Sequence, residues 1–420
     1  EANRTLRFKP DFIQGGTTSE LVIRASENEA VVEKTLSLVV EDTIVPPWPE
    51  VVNSEDYGSY TRIRLRQTTD DYLDSPGFAG RDFTARVVVP NDASPTNLYP
   101  VRVYLHGLGG SAYSGGNGDV FRIYPHDPDN TYWWGYSENL PEGEPTSGRV
   151  FNYTQRRVLH LLEWVLKNYP GADPNKVYVI GGSMGGAGSG ALGLLHARHF
   201  CYVHSTIGQM VAPNHRPYRM NRLSDFWGVP ELGLEDETGI SNWERYDLTR
   251  ALRDEWEAQN QFIYTKHGKD DPTIHFGAVT QGSALTGLSF YDAIEAYKIG
   301  HYAVWDEGGH GSSDPILGGS WWESSWNRVT DPISYLRRNL AFPAFHQSSA
   351  NRDPGDGTGN GKQIWNVTRG YSGTVSTAGD TGWTGDIAGS LNRFLRWDST
   401  GIVDTHDFFE IPLFVVTGQG

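Results

Sequence analysis

Residues 177–186 read Val-Tyr-Val-Ile-Gly-Gly-Ser-Met-Gly-Gly, an apolar strand-like run that breaks into a G-x-S-x-G pentapeptide centred on Ser183 and continues into a small-residue helix. A strand-to-helix turn this tight needs very small residues two positions before and two after the serine, and Gly181 and Gly185 occupy those positions. The serine hydroxyl then stands at a helix N-terminus. Free N–H groups and the positive end of the helix dipole there favour negative charge developing on a nearby oxygen.

A serine hydroxyl is a weak nucleophile near neutral pH and needs a base to take its proton. Residues 301–311, His-Tyr-Ala-Val-Trp-Asp-Glu-Gly-Gly-His-Gly, supply a short strand and a glycine-flanked loop that presents His310 as that base. Its second ring nitrogen must donate to a carboxylate, which sets the tautomer and stabilises the imidazolium. Residues 261–276 provide a strand followed by a loop carrying Asp270 and Asp271. One of the two orients the histidine, and with Pro272 next in the chain the other caps the turn. Upstream, Pro-Val-Arg-Val-Tyr-Leu-His-Gly-Leu-Gly-Gly-Ser at 100–111 is an alternating strand running into a His106-Gly107 loop. Such a loop lends a backbone N–H to an oxyanion, which places the two donors at Leu108 and at Met184, the residue after the serine.

These loops need a rigid frame. Apolar runs near 84–89, 101–106, 120–124, 177–181, 202–207, 261–265 and 301–305 alternate with helical patterns, the signature of a mostly parallel sheet with helices on its faces. The helix predicted over 154–168 shows the logic. Val158, Leu161, Leu162, Val165 and Leu166 recur at helical spacing and face one way. Glycines at 185, 186, 188, 190 and 193 weaken a free helix and point instead to close packing on neighbouring strands.

The elbow with its upstream His-Gly-Leu-Gly-Gly loop, and the chain order serine, acid, histidine, resemble serine hydrolases of the α/β-hydrolase superfamily. The match is to feruloyl and acetyl xylan esterases and their polyhydroxyalkanoate depolymerase relatives. The stretch His267-Gly268-Lys269-Asp270-Asp271-Pro272-Thr273-Ile274-His275-Phe276 is similar instead to the acid loop of the prolyl oligopeptidase family, and that resemblance selects Asp271 as the acid. It covers about residues 80–345, without the propeller that precedes the peptidase catalytic unit. The resemblance implies an α/β-hydrolase fold and a Ser183–His310–Asp271 triad that cleaves carboxylic esters through an acyl-enzyme. Bulky or polymer-linked esters, feruloyl or acetyl groups on polysaccharide or an aliphatic polyester, are the expected substrates. The other readings are a prolyl-oligopeptidase-like peptidase and a non-catalytic glycan-binding protein.

The 420-residue chain divides into three zones: a β-rich module at 1–80, the catalytic unit at 81–345 and a linker with a further β-rich module at 346–420. The end modules are candidates to pair as one discontinuous domain. Within the catalytic unit about 50 residues, 211–260, form a lid candidate, longer than an ordinary connection. Trp133, Trp134, Tyr136, Trp227 and Trp321 are the candidate walls of a substrate cleft.

The excess of 51 Asp plus Glu over 35 Lys plus Arg gives −16, which disfavours nucleic acid and anionic membranes as partners. No apolar run is long enough to span a membrane. The reading calls for no cofactor and no metal, with a solvated loop preferred over calcium at Asp353, Asp356 and Asn360. Cys201 is the only cysteine, so no disulfide forms within the chain, and a buried thiol is expected. A start at Glu1, 14 tryptophans and β-rich ends point to a secreted or periplasmic protein whose export signal has been removed.

Overall fold

The computed structural model describes residues 17–27, 30–41, 44–112, 115–268, 271, 273–306, 309–310, 336–343, 362–364, 374–376, 389–391, 395–397 and 401–415. The central sheet is built from β1 (Glu50–Asp56), β2 (Tyr60–Thr68), β3 (Asp82–Pro90), β4 (Tyr99–Leu105), β5 (Phe121–Tyr124), β6 (Ala172–Gly182), β7 (Tyr202–Thr206), β8 (Phe262–Gly268), β9 (Gly300–Asp306) and β10 (Gly389–Leu391). Among the described residues these strands lie in the order β10-β9-β8-β7-β6-β4-β5-β3-β2-β1. From β5 through β4, β6, β7 and β8 to β9 every neighbouring pair is parallel. β1, β2 and β3 at one end and β10 at the other pair antiparallel. This mostly parallel order is the α/β-hydrolase fold.

Parallel strands covered on both faces read as continuous apolar runs, and β8 is buried along its whole length. The register places Val103 beside Val179, Val179 beside Val203 and Val203 beside Ile263, so β-branched side chains stack across four strands. Two helices flank the strand that carries the serine. α1 (Tyr153–Asn168) buries Val158, Leu161, Leu162 and Val165 as its spacing predicts, while Leu166 is half-buried against the same core. α2 (Met184–Leu195) is buried throughout, and its glycines explain how it fits. A Cβ at Gly188 would stand 2.5 Å from the Trp133 ring, and one at Gly193 would stand 2.4 Å from Val203. The helix propensity lost at each glycine, about 1 kcal/mol, is offset by the apolar contact that close approach allows.

After β7 the chain makes α3 (Pro217–Trp227), α4 (Asn242–Arg245), α5 (Leu248–Asp254) and α6 (Trp256–Gln259) before entering β8. Leu223, Trp243, Tyr246, Leu248 and Leu252 of this 211–260 insertion belong to the main hydrophobic core. α7 (Gly277–Thr280) and α8 (Phe290–Ala296) follow β8.

The zone boundaries differ from the sequence expectation. β1 and β2, assigned to an N-terminal module, continue the central sheet, because Ile63 and Leu65 face the core in register with Val87 and Ala85 of β3. β10, from the C-terminal zone, pairs with β9. What stands apart at the N-terminus is the ribbon Thr17–Glu27 with Ala30–Val40, paired only with itself among the described residues. The C-terminal zone forms short antiparallel pairings of its own, such as Leu395–Trp397 with Leu413–Val415. Among the described residues the two ends share no ladder. Cys201 is buried as expected, and burial pushes its thiol well above the usual range. No described helix is long and apolar enough to cross a membrane.

Candidate active site

The loops that follow β4, β6, β8 and β9 leave the same edge of the sheet, because these strands are parallel, and this brings residues far apart in sequence together. Ser183 is the hinge of the turn from β6 into α2, with φ 58° and ψ −124°. A side chain is strained in that conformation, and the surrounding packing holds it there. A Cβ on Gly181 would lie 2.1 Å from the Gly185 carbonyl oxygen, and one on Gly185 would lie 2.0 Å from the Leu105 carbonyl oxygen. The Ser183 amide donates to the Thr206 carbonyl at 2.9 Å, tying the turn to β7.

Serine at a helix N-cap usually turns its hydroxyl onto the helix amides. Ser183 makes no such bond, and its Oγ instead meets Nε2 of His310 at 2.9 Å. The amides of the first turn of α2, Met184 included, have no acceptor within the helix. His310 Nδ1 faces Asp271, 2.8 Å from Oδ2 and 3.0 Å from Oδ1. The Asp271 side chain is fully buried, whereas that of His310 is 27% exposed. With Nδ1–H donated to the carboxylate, Nε2 is free to accept from the serine hydroxyl. Ser183, His310 and Asp271 are therefore brought together as a hydrogen-bonded chain. Asp270, the other acid of the pair, lies outside the described residues.

The acid is held by its own loop. Asp271 Oδ1 accepts from the amides of Thr273 at 2.7 Å and Ile274 at 3.0 Å. His267, at the end of β8, donates from Nε2 to the Ile274 carbonyl at 2.9 Å. Burial lowers the pKa of His267, which keeps that ring neutral.

On the other side of the serine, Gly107 is close enough that an added Cβ would rest 3.6 Å from the Gly182 carbonyl and 3.7 Å from the Ser183 Cβ. Leu108 follows it and is 40% exposed. The loop is braced from beneath by residues 127–133, whose Trp133 the sequence offers as a cleft wall and not as a brace. His106 donates from Nδ1 to the Gly107 carbonyl at 2.8 Å, and its Nε2 accepts from the Asp127 amide at 3.0 Å. Burial lowers the His106 pKa, in keeping with a neutral ring that donates on one side and accepts on the other. The Gly109 amide donates to Asn130 Oδ1 at 2.6 Å, and Trp133 Nε1 donates to the His106 carbonyl at 3.0 Å. Asn130, Tyr132 and Trp133 all have left-handed φ, between 56° and 62°. Three such residues within four positions mark a backbone held against its preference.

The aromatic residues expected to wall a cleft are placed differently. Trp133, Trp134, Tyr136 and Trp227 are between 0 and 2% exposed. Trp227 Nε1 donates to the Gly135 carbonyl at 2.9 Å and Trp133 Nε1 to that of His106, while Trp134 Nε1 and the Tyr136 hydroxyl are buried without a hydrogen-bond partner among the described residues. Trp227 also packs edge-on against Trp243, with ring centroids 5.1 Å apart. These side chains are core: Trp133, Trp134 and Trp227 belong to the main hydrophobic cluster, and for Trp133 and Trp227 a carbonyl also meets the N–H. Trp321 and the Asp353, Asp356 and Asn360 loop lie outside the described residues. No group of His, Cys, Asp and Glu side chains arranged to hold a metal occurs among the described residues.

No protein-family model matches the chain, and no curated protein matches it. Among solved structures it is similar to an S-formylglutathione hydrolase from Agrobacterium tumefaciens, with 15% identity and a TM-score of 0.46 over 68% of this chain and 99% of that one. It is also similar to a ferulic acid esterase, at 14% identity and a TM-score of 0.43 over 66% of this chain and 99% of that one. An acylaminoacyl peptidase from Pyrococcus horikoshii aligns at 12% identity with a TM-score of 0.44, over 79% of this chain and 56% of that one. None of these likenesses assigns a reaction to the present chain.

Proposed function

We propose that the chain is a serine hydrolase of carboxylic esters that works through an acyl-enzyme. The observation that carries this reading is the hydrogen-bonded chain from Asp271 through His310 to Ser183, with links of 2.8 and 2.9 Å. As Ser183 Oγ attacks the acyl carbon, His310 Nε2 takes its proton and Asp271 stabilises the imidazolium. The amides of Leu108 and Met184 receive the oxyanion, each donor being worth about 3 kcal/mol of barrier. His310 then protonates the departing alcohol, and water, activated by the same ring, releases the acid.

A bulky or polymer-linked ester is the substrate favoured by the aromatic complement and the β-rich ends of the chain. With Trp133, Trp134, Tyr136 and Trp227 in the core the aromatic part of that support falls away, and the acyl class is to be found by a screen. A peptidase is the second reading, and the His267–Phe276 acid loop is the feature in its favour. Reaction with a fluorophosphonate probe, followed by peptide mass spectrometry, tests the centre. An adduct on Ser183 that is lost in His310→Ala is the expected result, and a folded protein with no adduct would sink the reading. Acetyl, feruloyl and polyester substrates assayed beside proline amides then separate esterase from peptidase.

A further inference from the structure

The acid loop is also gripped from across the site by the start of the 211–260 insertion. Arg216 precedes α3 and is 1% exposed, among the largest fully buried side chains described. Its Nη2 donates to the main-chain carbonyl of Asp271 at 3.0 Å. A second bond runs the other way, from Nε2 of His275 in the acid loop to the Asn214 carbonyl at 3.0 Å. Asn214 Nδ2 in turn donates to the Gly282 carbonyl at 3.0 Å. Residues 214–216 and the acid loop are therefore stapled together at their backbones.

The charge in this staple belongs to the arginine. His215 accepts from the Arg216 amide on Nδ1 at 2.9 Å and its Nε2 meets the Tyr132 hydroxyl at 3.1 Å. Burial, with Arg216 and Arg219 nearby, holds His215 well below its usual range. Burial likewise lowers His275, to about 3, with Arg216 as the next contribution. Both imidazoles face the guanidinium as neutral rings. A buried guanidinium bound to a carbonyl beside a buried carboxylate costs desolvation that pure packing would avoid.

We propose that Arg216 is a positioning residue for the triad acid, holding the Asp271 main chain so that its carboxylate keeps His310 aligned with Ser183. The inference rests on the reading of Ser183 as an acyl-transfer nucleophile. A misplaced acid lowers the rate of the chemical step and leaves substrate binding largely intact.

The test compares wild type, Arg216→Met and Arg216→Lys by turnover of 4-nitrophenyl acetate, by the rate of fluorophosphonate labelling and by thermal unfolding. Arg216→Met is expected to lose about 10- to 100-fold in kcat with KM within about twofold, and to label more slowly by the same factor. Arg216→Lys, which restores a charged donor, should recover much of the loss. Should Arg216→Met not fold, Arg216→Gln takes its place as the uncharged variant. A folded uncharged variant with full kcat overturns the inference alone, and so does a loss confined to melting temperature that lysine does not rescue. A wild type that neither labels nor turns over overturns the reading of the centre, and this inference with it.

Discussion

The amide of Asp127 donates to Nε2 of His106 across 3.0 Å, while the carboxylate of the same residue accepts from the amides of Thr131 at 2.8 Å and Trp133 at 3.3 Å. One aspartate thus joins the loop beside Ser183 to the left-handed segment beneath it. Burial pushes its carboxyl from the usual 3.8 up to about 6, although Arg157 nearby pulls the other way.

A proton held more tightly in the native than in the unfolded state makes stability fall as pH rises through the interval between the two values. For Asp127 that interval runs from the usual 3.8 to about 6. Asp127→Asn keeps an oxygen for the two amides and cannot titrate. The stability of wild type relative to this variant should fall by about 2 kcal/mol between pH 4 and pH 7, read from urea midpoints. A difference that does not change with pH would show that Asp127 keeps an ordinary carboxyl.

Ser183 is held at φ 58° and ψ −124°, and glycine alone adopts such a backbone without strain. Ser183→Gly should therefore gain about 1 kcal/mol in unfolding free energy while abolishing turnover. Ser183→Ala, equally inactive, should show no such gain, because it keeps the Cβ. Equal stability of the two variants would mean that the elbow carries no strain.

The glycines around the elbow are not equivalent. A methyl at Gly185 would stand 2.0 Å from backbone that cannot retreat, whereas one at Gly107 meets only ordinary contacts at 3.6 and 3.7 Å. Gly185→Ala should destabilise the protein by about 3 kcal/mol or more, or prevent folding. Gly107→Ala should stay within about 1 kcal/mol of wild type in the same denaturant titration.

Trp227 is completely buried, with its N–H satisfied by Gly135. Trp227→Ala should cost about 3–5 kcal/mol of stability. The KM of the molecules that remain folded should be unchanged, and a raised KM with little loss of stability would return the residue to a substrate cleft.

Sequence showed most clearly what local rules dictate. Gly181 and Gly185 around Ser183 report a turn that tolerates nothing larger, and the α1 stripe from Val158 to Val165 reports a buried face. The aromatic side chains were misjudged for a physical reason: tryptophan is amphipathic, and composition does not say whether its N–H meets water or a carbonyl such as that of Gly135. β1 and β2 were set outside the catalytic unit because an edge strand alternates in the same way whichever sheet it joins. Arg216 had no local signature at all. Its partner is the Asp271 backbone, 55 positions away, and a main-chain carbonyl leaves no trace in the choice of side chain.

Ser183 and His310 are 127 positions apart, and they meet only because β7, β8 and β9 are laid down in order beside β6. Closing so long a stretch costs entropy before any contact across it is gained, so the pairing of these two side chains is expected late in folding. If Ser183 is the proposed nucleophile, its reactivity toward the probe is an assembly clock. During refolding it should lag behind the recovery of helix and sheet signals, and a chain stopped before residue 310 should acquire much of its secondary structure and stay silent.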